Sequence, residues 1–153
     1  MYNYKLLLLF LILNFGALAI GSWLMDKGPT TNWYLNLNKA PWSPPGWLFG
    51  VAWTTIMLCF SFYMTSLVGY KPVTYIWILF FIQFVLNISW NYFFFNIHMI
   101  GVALFILISL TILVGYFLFN FNADMGKKSL LIAPYFIWLL VANSLNIYAY
   151  LKN

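Results

Sequence analysis

An all-α membrane protein, built as a bundle of five transmembrane helices, is what three features of this sequence predict. Hydrophobic residues make up 65% of the 153 and charged residues only 6%, against roughly 25% charged in soluble domains. Five runs free of Lys, Arg, Asp and Glu each approach or exceed the roughly 20 apolar residues that a helix needs to cross a hydrocarbon core. None of these runs alternates polar with apolar residues, as a membrane β-strand must. A soluble chain of this length could not hide so much apolar side chain, because its surface must still face water. The surrounding solvent is therefore lipid, where only helices and closed barrels satisfy their own backbone.

The five spans fall at about residues 6–25, 47–68, 73–95, 97–119 and 130–151. The first is longer than the apolar stretch of a signal peptide, about 7–15 residues, and reads as a retained helix. The long connection after it, residues 26–46, carries Asp26, Gly28, Pro29, Pro41, Pro44 and Pro45. Proline lacks an amide donor, so Pro44-Pro45-Gly46 is expected to end this loop and open the second helix. Trp33, Tyr34, Trp42 and Trp47, in and beside the loop, suit the membrane interface, where amphipathic rings settle. Residues 69–72 and 120–128 read as polar turns. The connection at Asn96–His98 is so short that the third and fourth helices must form a tight hairpin. Pro134, a turn into the last span, should free the carbonyl of Leu130 and either kink the helix or be tolerated near its start. Residues 1–153 read as a single domain without an internal repeat. An odd number of spans also argues against two equal inverted repeats.

The charges exclude several functions. Lys5, Lys71, Lys127 and Lys128 fall on one side of the membrane and Lys27, Lys39 and Lys152 on the other, a balance that gives no orientation. No basic stripe interleaved with aromatics exists to follow a phosphate backbone, so nucleic acid is not an expected partner and the lipid bilayer is. The single Cys59 rules out an intrachain disulfide and a cysteine zinc cluster. Asp26 and Asp124, the only acidic residues, lie in connections, so paired-carboxylate catalysis and intramembrane proton coupling lack their parts. His98, the one histidine, is the only place for a Ser–His–Asp triad or for haem iron. An interfacial cap is its plainer role. No metal is expected.

What remains is uncharged polarity and large rings. Gln83, Asn87 and Asn91 recur at four-residue steps with Trp90 alongside, which places them on one helical face about 12 Å long. Trp138, Ala142 and Asn146 keep the same register in the last span, with Asn143 adjacent. The second span offers Trp53 and Met57, and the first offers Asn14, Leu18, Gly21 and Ser22. Amides in hydrocarbon need partners, so these faces should turn inward. They serve either as interhelical hydrogen bonds, worth about 0.6–2 kcal/mol each, or as anchors of a cavity. Trp53 and Trp138, on faces shared with small residues, favour an aromatic-walled cavity for a flat hydrophobic ligand. Gly46-x-x-x-Gly50 and Ala17-x-x-x-Gly21 allow close helix approach, inside the bundle or in a homodimer. Leu145, Tyr148 and Lys152 fit a loose cholesterol-contact pattern that carries little weight.

In order along nearly the whole chain, these residues resemble the TspO/MBR family, the tryptophan-rich sensory proteins and translocator proteins. Trp33-Tyr34, Leu37, Lys39, Trp42, Pro44-Pro45, Trp47, Gly50, Trp53 and Thr54 resemble its first loop and second helix. Gln83, Leu86, Asn87, Trp90 and Phe93-Phe94 resemble its third helix, and Pro134-Tyr135, Trp138, Ala142, Leu145 and Asn146 its fifth. Lys39-Ala40-Pro41 shifts the first loop proline by one place relative to some members, and Asn91 stands where many have a small residue or proline.

The resemblance implies a multi-pass protein of a bacterial cell membrane, with the long first loop as a lid over a cavity. It implies binding of porphyrins and haem-like tetrapyrroles, of sterols in animal members, and of synthetic benzodiazepine-type and isoquinoline carboxamide ligands. The tetrapyrrole is a ligand, and no tightly bound cofactor is expected. Trp53, Asn87, Trp138, Ala142 and Asn146 would line the site, with Ser22, Trp42 and Gln83 as further candidates. A receptor or sensor is the leading expectation. The alternatives are light-dependent porphyrin breakdown, for which Trp53 and Trp138 are the catalytic candidates, and a small-molecule transporter.

Overall fold

The structure, a computed structural model, describes residues 3–71 and 74–153. Pro72 and Val73, where the expected third span begins, lie outside the described residues. Helix α1 runs Tyr4–Met25, opened by the Asn3 side chain, which accepts from the Leu6 amide at 3.2 Å. The first loop contains a short 3-10 turn, Gly28–Thr30, and a one-turn helix α2, Asn32–Asn36. Helix α3, Gly46–Tyr70, starts directly behind the two prolines, with Pro45 at its cap. Helix α4, Thr74–Asn91, widens into a π-helical turn over Tyr92–Asn96, and α5 follows as Ile100–Asn120. A four-residue helix α6, Asn122–Met125, and a 3-10 stretch, Gly126–Leu131, lead into α7, Ala133–Lys152.

Four helices, beginning at Tyr4, Gly46, Thr74 and Ile100, are long and apolar enough to cross a membrane alone. The fifth, α7, does so together with residues 122–131, from which it turns by 70°. The protein is an all-helical integral membrane bundle. Its helices close a ring in the order α3, α1, α4, α5, α7, and the seam that returns from α7 to α3 is the sparsest of the five. Phe105 and Phe119 on α5 are 71% and 70% exposed on the outside of the ring. In water such rings would be costly; among lipid tails they are at home.

Because lipid tails are as apolar as leucine, burial alone does not hold these helices together, and packing and interhelical hydrogen bonds must. Phe60 of α3 sits at the centre of the packing, with ring centroids 5.3–6.3 Å from Tyr63, Phe80, Phe117 and Tyr135. Asn14 of α1 donates to the Ser61 hydroxyl of α3 at 2.9 Å, and Asn143 of α7 donates to the Thr111 hydroxyl of α5 at 2.6 Å. Tyr63 donates across to the Phe117 carbonyl at 2.7 Å. At the end away from the first loop, Lys71 Nζ meets Asp124 Oδ2 at 2.7 Å. That hydrogen bond raises the Lys71 ammonium above its ordinary value.

Three expectations change. Pro134 lies in the first turn of α7 rather than a turn into a longer helix. Its missing amide is one that a helix start leaves unbonded anyway, and the chain bends just before it. Residues 120–128 are more than a polar turn, because Phe121 and Met125 are buried and join the main core. Of the two small-residue motifs, only one is in close contact: a side chain on Gly21 would meet Asn91 Nδ2 at 2.8 Å, whereas Gly46 and Gly50 face open space.

Candidate ligand-binding site

The sparse α3–α7 seam is filled by aromatic rings. Trp53 lies one turn beyond Phe49 on α3, and Tyr135 lies one turn before Trp138 on α7. Phe49 meets Trp138 edge-on at 5.3 Å, and Trp53 meets Tyr135 edge-on at 5.9 Å. Both tryptophans are half-buried and pack against the main core, as does Ala142. The Tyr135 hydroxyl accepts from Gln83 Nε2 of α4 at 2.7 Å, so α4 reaches the seam through that residue. Gln83, Asn87 and Asn146 are all buried. The four-residue spacing in the third and last spans therefore does turn its amides inward.

The polar groups on these faces have different fates. Asn143 Nδ2 is spent on Thr111 and on the Leu139 carbonyl, while its Oδ1 is buried without a protein partner. Asn91 packs on Gly21 and makes only a long 3.4 Å contact with the Asn87 carbonyl. Gln83 Oε1, the Trp90 indole N–H and both amide atoms of Asn146 are buried without a protein partner. A buried polar atom in that condition costs about 1–3 kcal/mol, so residues that keep it are candidates for contact with something other than the protein.

The first loop closes over the end of the bundle where α7 finishes. Leu37 is buried in a second core with Phe94, Ala103 and Ala149, against which Trp33, Tyr34 and Trp90 pack. Trp33 stacks on His98 with centroids 4.0 Å apart, and Tyr34 packs on Phe95 at 5.3 Å. His98 adopts φ 62°, a left-handed conformation uncommon outside glycine; it is exposed and serves as the stacking platform for the lid. Asn38 bonds Lys152 and Asn153 at the end of α7. Trp42 is exposed, yet its indole N–H donates to Ser144 at 3.1 Å and its ring meets Tyr148 at 5.5 Å. It thus straps the loop to α7 rather than entering the interior. Ser22 is exposed on α1 and is not brought to the shared face.

Two surface recesses stand out, and neither is lined by Trp53 or Trp138. One of about 460 Å³ lies beneath the lid among Trp33, His98 and Asn153. The other, about 370 Å³, is an apolar groove between α4 and α5 on the lipid side. Phe49 and Tyr135 occupy the seam, one against each tryptophan.

Burial raises the Tyr34 phenol above its ordinary value. The folded lid therefore favours the neutral ring. That contribution is complete below the ordinary tyrosine range and is lost as pH rises through the raised value. Protease cleavage within residues 26–45 should accelerate above about pH 10, and much less so in Tyr34→Phe; equal acceleration in both proteins would remove Tyr34 from the lid's hold.

The model of the TspO/MBR family matches residues 8–151. The chain belongs to the TspO/MBR family. It is 34% identical over 129 residues to the tryptophan-rich protein TspO of Archaeoglobus fulgidus, covering 79% of this chain and 80% of that one. A second tryptophan-rich protein TspO, from Bacillus cereus, is 28% identical over 152 residues, 95% of each chain. The translocator protein of Bos taurus is 28% identical over 125 residues, covering 78% of this chain and 74% of the bovine one. The TspO/MBR resemblance read from the loop and the third and fifth spans is thus correct. Within this TspO/MBR chain, sequence reasoning passed over Phe49 and gave Tyr135 and Trp90 no place in the site. The signal for the first two was present, since each stands close to one helical turn from a chosen tryptophan.

Proposed function

We propose that this TspO/MBR protein is a membrane receptor or sensor for a planar, hydrophobic ligand of the porphyrin or related tetrapyrrole class. The ligand would be held between Trp53 and Trp138, with Asn87, Ala142 and Asn146 beneath it. One observation carries the reading: at the seam where the helix ring is loosest, a tryptophan from each helix meets a ring of the other, Trp138 with Phe49 and Trp53 with Tyr135. Flat rings slide between indoles with offset or edge contacts worth about 0.5–1.5 kcal/mol each. Entry would part α3 from α7 at the least cost, displacing Phe49 and Tyr135, while the lid is strapped to α7 by Trp42 and Asn38. The translocator and sensory names of the relatives fit a protein that binds rather than one that performs conventional catalysis.

The test is a titration of the detergent-solubilised protein with protoporphyrin IX, read by quenching of tryptophan fluorescence. Trp53→Phe/Trp138→Phe should weaken binding about tenfold, the sum of two modest aromatic contacts. Because the variant loses two fluorophores, a second titration follows porphyrin absorbance. Affinity unchanged by both measures would remove the seam as the site.

A further inference from the structure

The recess beneath the lid, about 460 Å³, takes its walls from two parts of the molecule. Asn32, Trp33, Asn36 and Leu37 belong to the first loop, and His98, Ile100 and Asn153 to the bundle it closes over. Asn32 and Asn36 stand four residues apart on α2 and so share one of its faces. Trp33 covers a face of the His98 ring at 4.0 Å, which leaves the two ring nitrogens free at the edge. Among the described residues, neither these two amides nor the His98 ring nitrogens have a hydrogen-bond partner. Asn153 differs. Its Oδ1 accepts from the Asn38 amide at 2.9 Å and its Nδ2 donates to the Asn38 carbonyl at 3.2 Å, so it closes the recess as a wall. At about 1.5 Å per helical residue, Asn153 lies about 22 Å beyond Trp138. The recess is not part of the aromatic seam.

The geometry points to a second binding site in this recess, one that takes the carboxylate of a small organic acid and fastens the lid to the bundle when filled. It goes beyond the porphyrin reading and does not rest on it. No acidic side chain lines the recess, so a cation has nothing to pair with there. The charged side chains on the surrounding elements are Asp26, Lys27 and Lys39 of the first loop and Lys152 at the end of α7. Lys39 Nζ is held at the Tyr34 carbonyl, 2.9 Å away. The phenols on those elements, Tyr34 and Tyr150, turn to Phe95 and to Gly101. His98 is thus the lining group that changes charge near neutral pH. Protonated, it is a cation lying on an indole face, a favourable pairing, and both of its ring N–H groups donate. A carboxylate presents two oxygens to such a set, one for the imidazolium and one for the Asn32 and Asn36 amide N–H groups. A phosphate monoester, with a charge of about −1.5 to −2, would be left unbalanced by a single imidazolium. Trp33, Leu37 and Ile100 supply an apolar wall for a ring or short chain attached to the carboxylate. Because the donors come from both lid and bundle, the acid bridges them, and by linkage it binds the closed lid more tightly than the open one.

The probe is benzoate, with benzamide as its uncharged counterpart, added without porphyrin at matched ionic strength. The protein is the full-length chain in detergent with a short Gly-Ser tail after Asn153, so that side chains supply the only charges at that wall. His98 is the one histidine, so a histidine-labelled sample gives a single imidazole NMR signal from the chain. Benzoate should move that signal saturably at pH 6, and benzamide should not. The affinity should be roughly fivefold weaker at pH 8, the upper end for an exposed ion pair. At ten times its dissociation constant, benzoate should slow protease cleavage within residues 26–45 about tenfold. His98→Asn, which tolerates the left-handed backbone but carries no charge, should abolish the pH dependence of that protection. Asn32→Ala/Asn36→Ala changes only exposed side chains and should weaken benzoate several-fold, which keeps the inference testable if His98→Asn does not fold. A stationary imidazole signal, equal response to benzamide, equal affinity at the two pH values, or binding without protection of the lid would each overturn the inference. So would affinity unchanged in Asn32→Ala/Asn36→Ala. Porphyrin titration of the same samples reports separately on the seam.

Discussion

Phe60→Ala should destabilise the bundle by about 3 kcal/mol, at the low end of what removing a buried ring costs. The ring is fully buried and makes four aromatic contacts, which tie α3 to α4, α5 and α7 at once. In a water-soluble core the loss would combine a transfer term with a cavity term. Here the unfolded reference remains in lipid, which is as apolar as the core. Most of the loss is therefore missing contact, since atoms that face a void have nothing to replace the ring. Phe105→Ala is the comparison that isolates this term. Phe105 is 71% exposed to the lipid side, so lipid tails fill the space it leaves, and the change should be within about 0.5 kcal/mol. Unfolding in mixed micelles, followed by tryptophan fluorescence, gives both values. Similar losses for the two variants would mean that packing at Phe60 does not hold the helices together.

The spans were legible because lipid imposes one simple requirement, a helix-length run without charge, and five such runs are present. Pro44-Pro45 marked the start of α3 for an equally local reason. Local rules failed where tertiary packing decides. Residues 120–128 contain Asn120, Asn122, Asp124, Lys127 and Lys128 and look like a solvated turn, but this segment packs against α3 and α5, and Phe121 and Met125 are drawn into the core. The π-helical turn at Tyr92–Asn96 gave no periodic warning. Its three successive phenylalanines, Phe93–Phe95, serve the bundle and the lid together. The extra residue in the turn carries the chain past a regular helix, so that Ile97 bonds the Tyr92 carbonyl and Met99 the Phe93 carbonyl. Single turns of this kind recur at functional sites.

At the site, helical spacing correctly placed Gln83, Asn87 and Asn146 inside. It could not separate Asn143 from Asn146. Both keep a buried amide oxygen without a protein partner, and only the position of Thr111 on α5, with the Leu139 carbonyl, decides that the Asn143 nitrogen is bonded and the Asn146 nitrogen is not. Ser22 failed for a geometric reason. It follows Gly21, which packs against Asn91, and one residue is a rotation of about 100° around the helix. Trp42 was placed in the ligand set through the family, and in the structure it acts one step away, holding the lid against Ser144 and Tyr148.

Gly28, where the first loop packs on the π-helical turn, gives the second large effect. Gly28→Ala should loosen the first loop by about 1–3 kcal/mol, the usual cost of forcing a methyl group into a packed contact. A Cβ on Gly28 would come within 2.6 Å of Phe95 Cβ and 2.7–2.8 Å of its ring. The obstructing atom is next to the backbone of the π-helical turn, not at the end of a flexible chain. Phe95 is itself held by Trp90, Phe94 and Tyr34, so it cannot swing aside without disturbing them. The lid must move instead, carrying Trp33 and Tyr34 away from His98 and Phe95. Cleavage of residues 26–45 by a soluble protease should then become roughly ten- to a hundredfold faster, at about 1.4 kcal/mol per tenfold. Porphyrin held as proposed above should dissociate faster as well. Gly50→Ala supplies the contrast, because nothing lies within 4 Å of its added methyl group and alanine is the better helix former. If Gly28→Ala left both lid cleavage and dissociation at the level of Gly50→Ala, the loop would not be the gate to the seam.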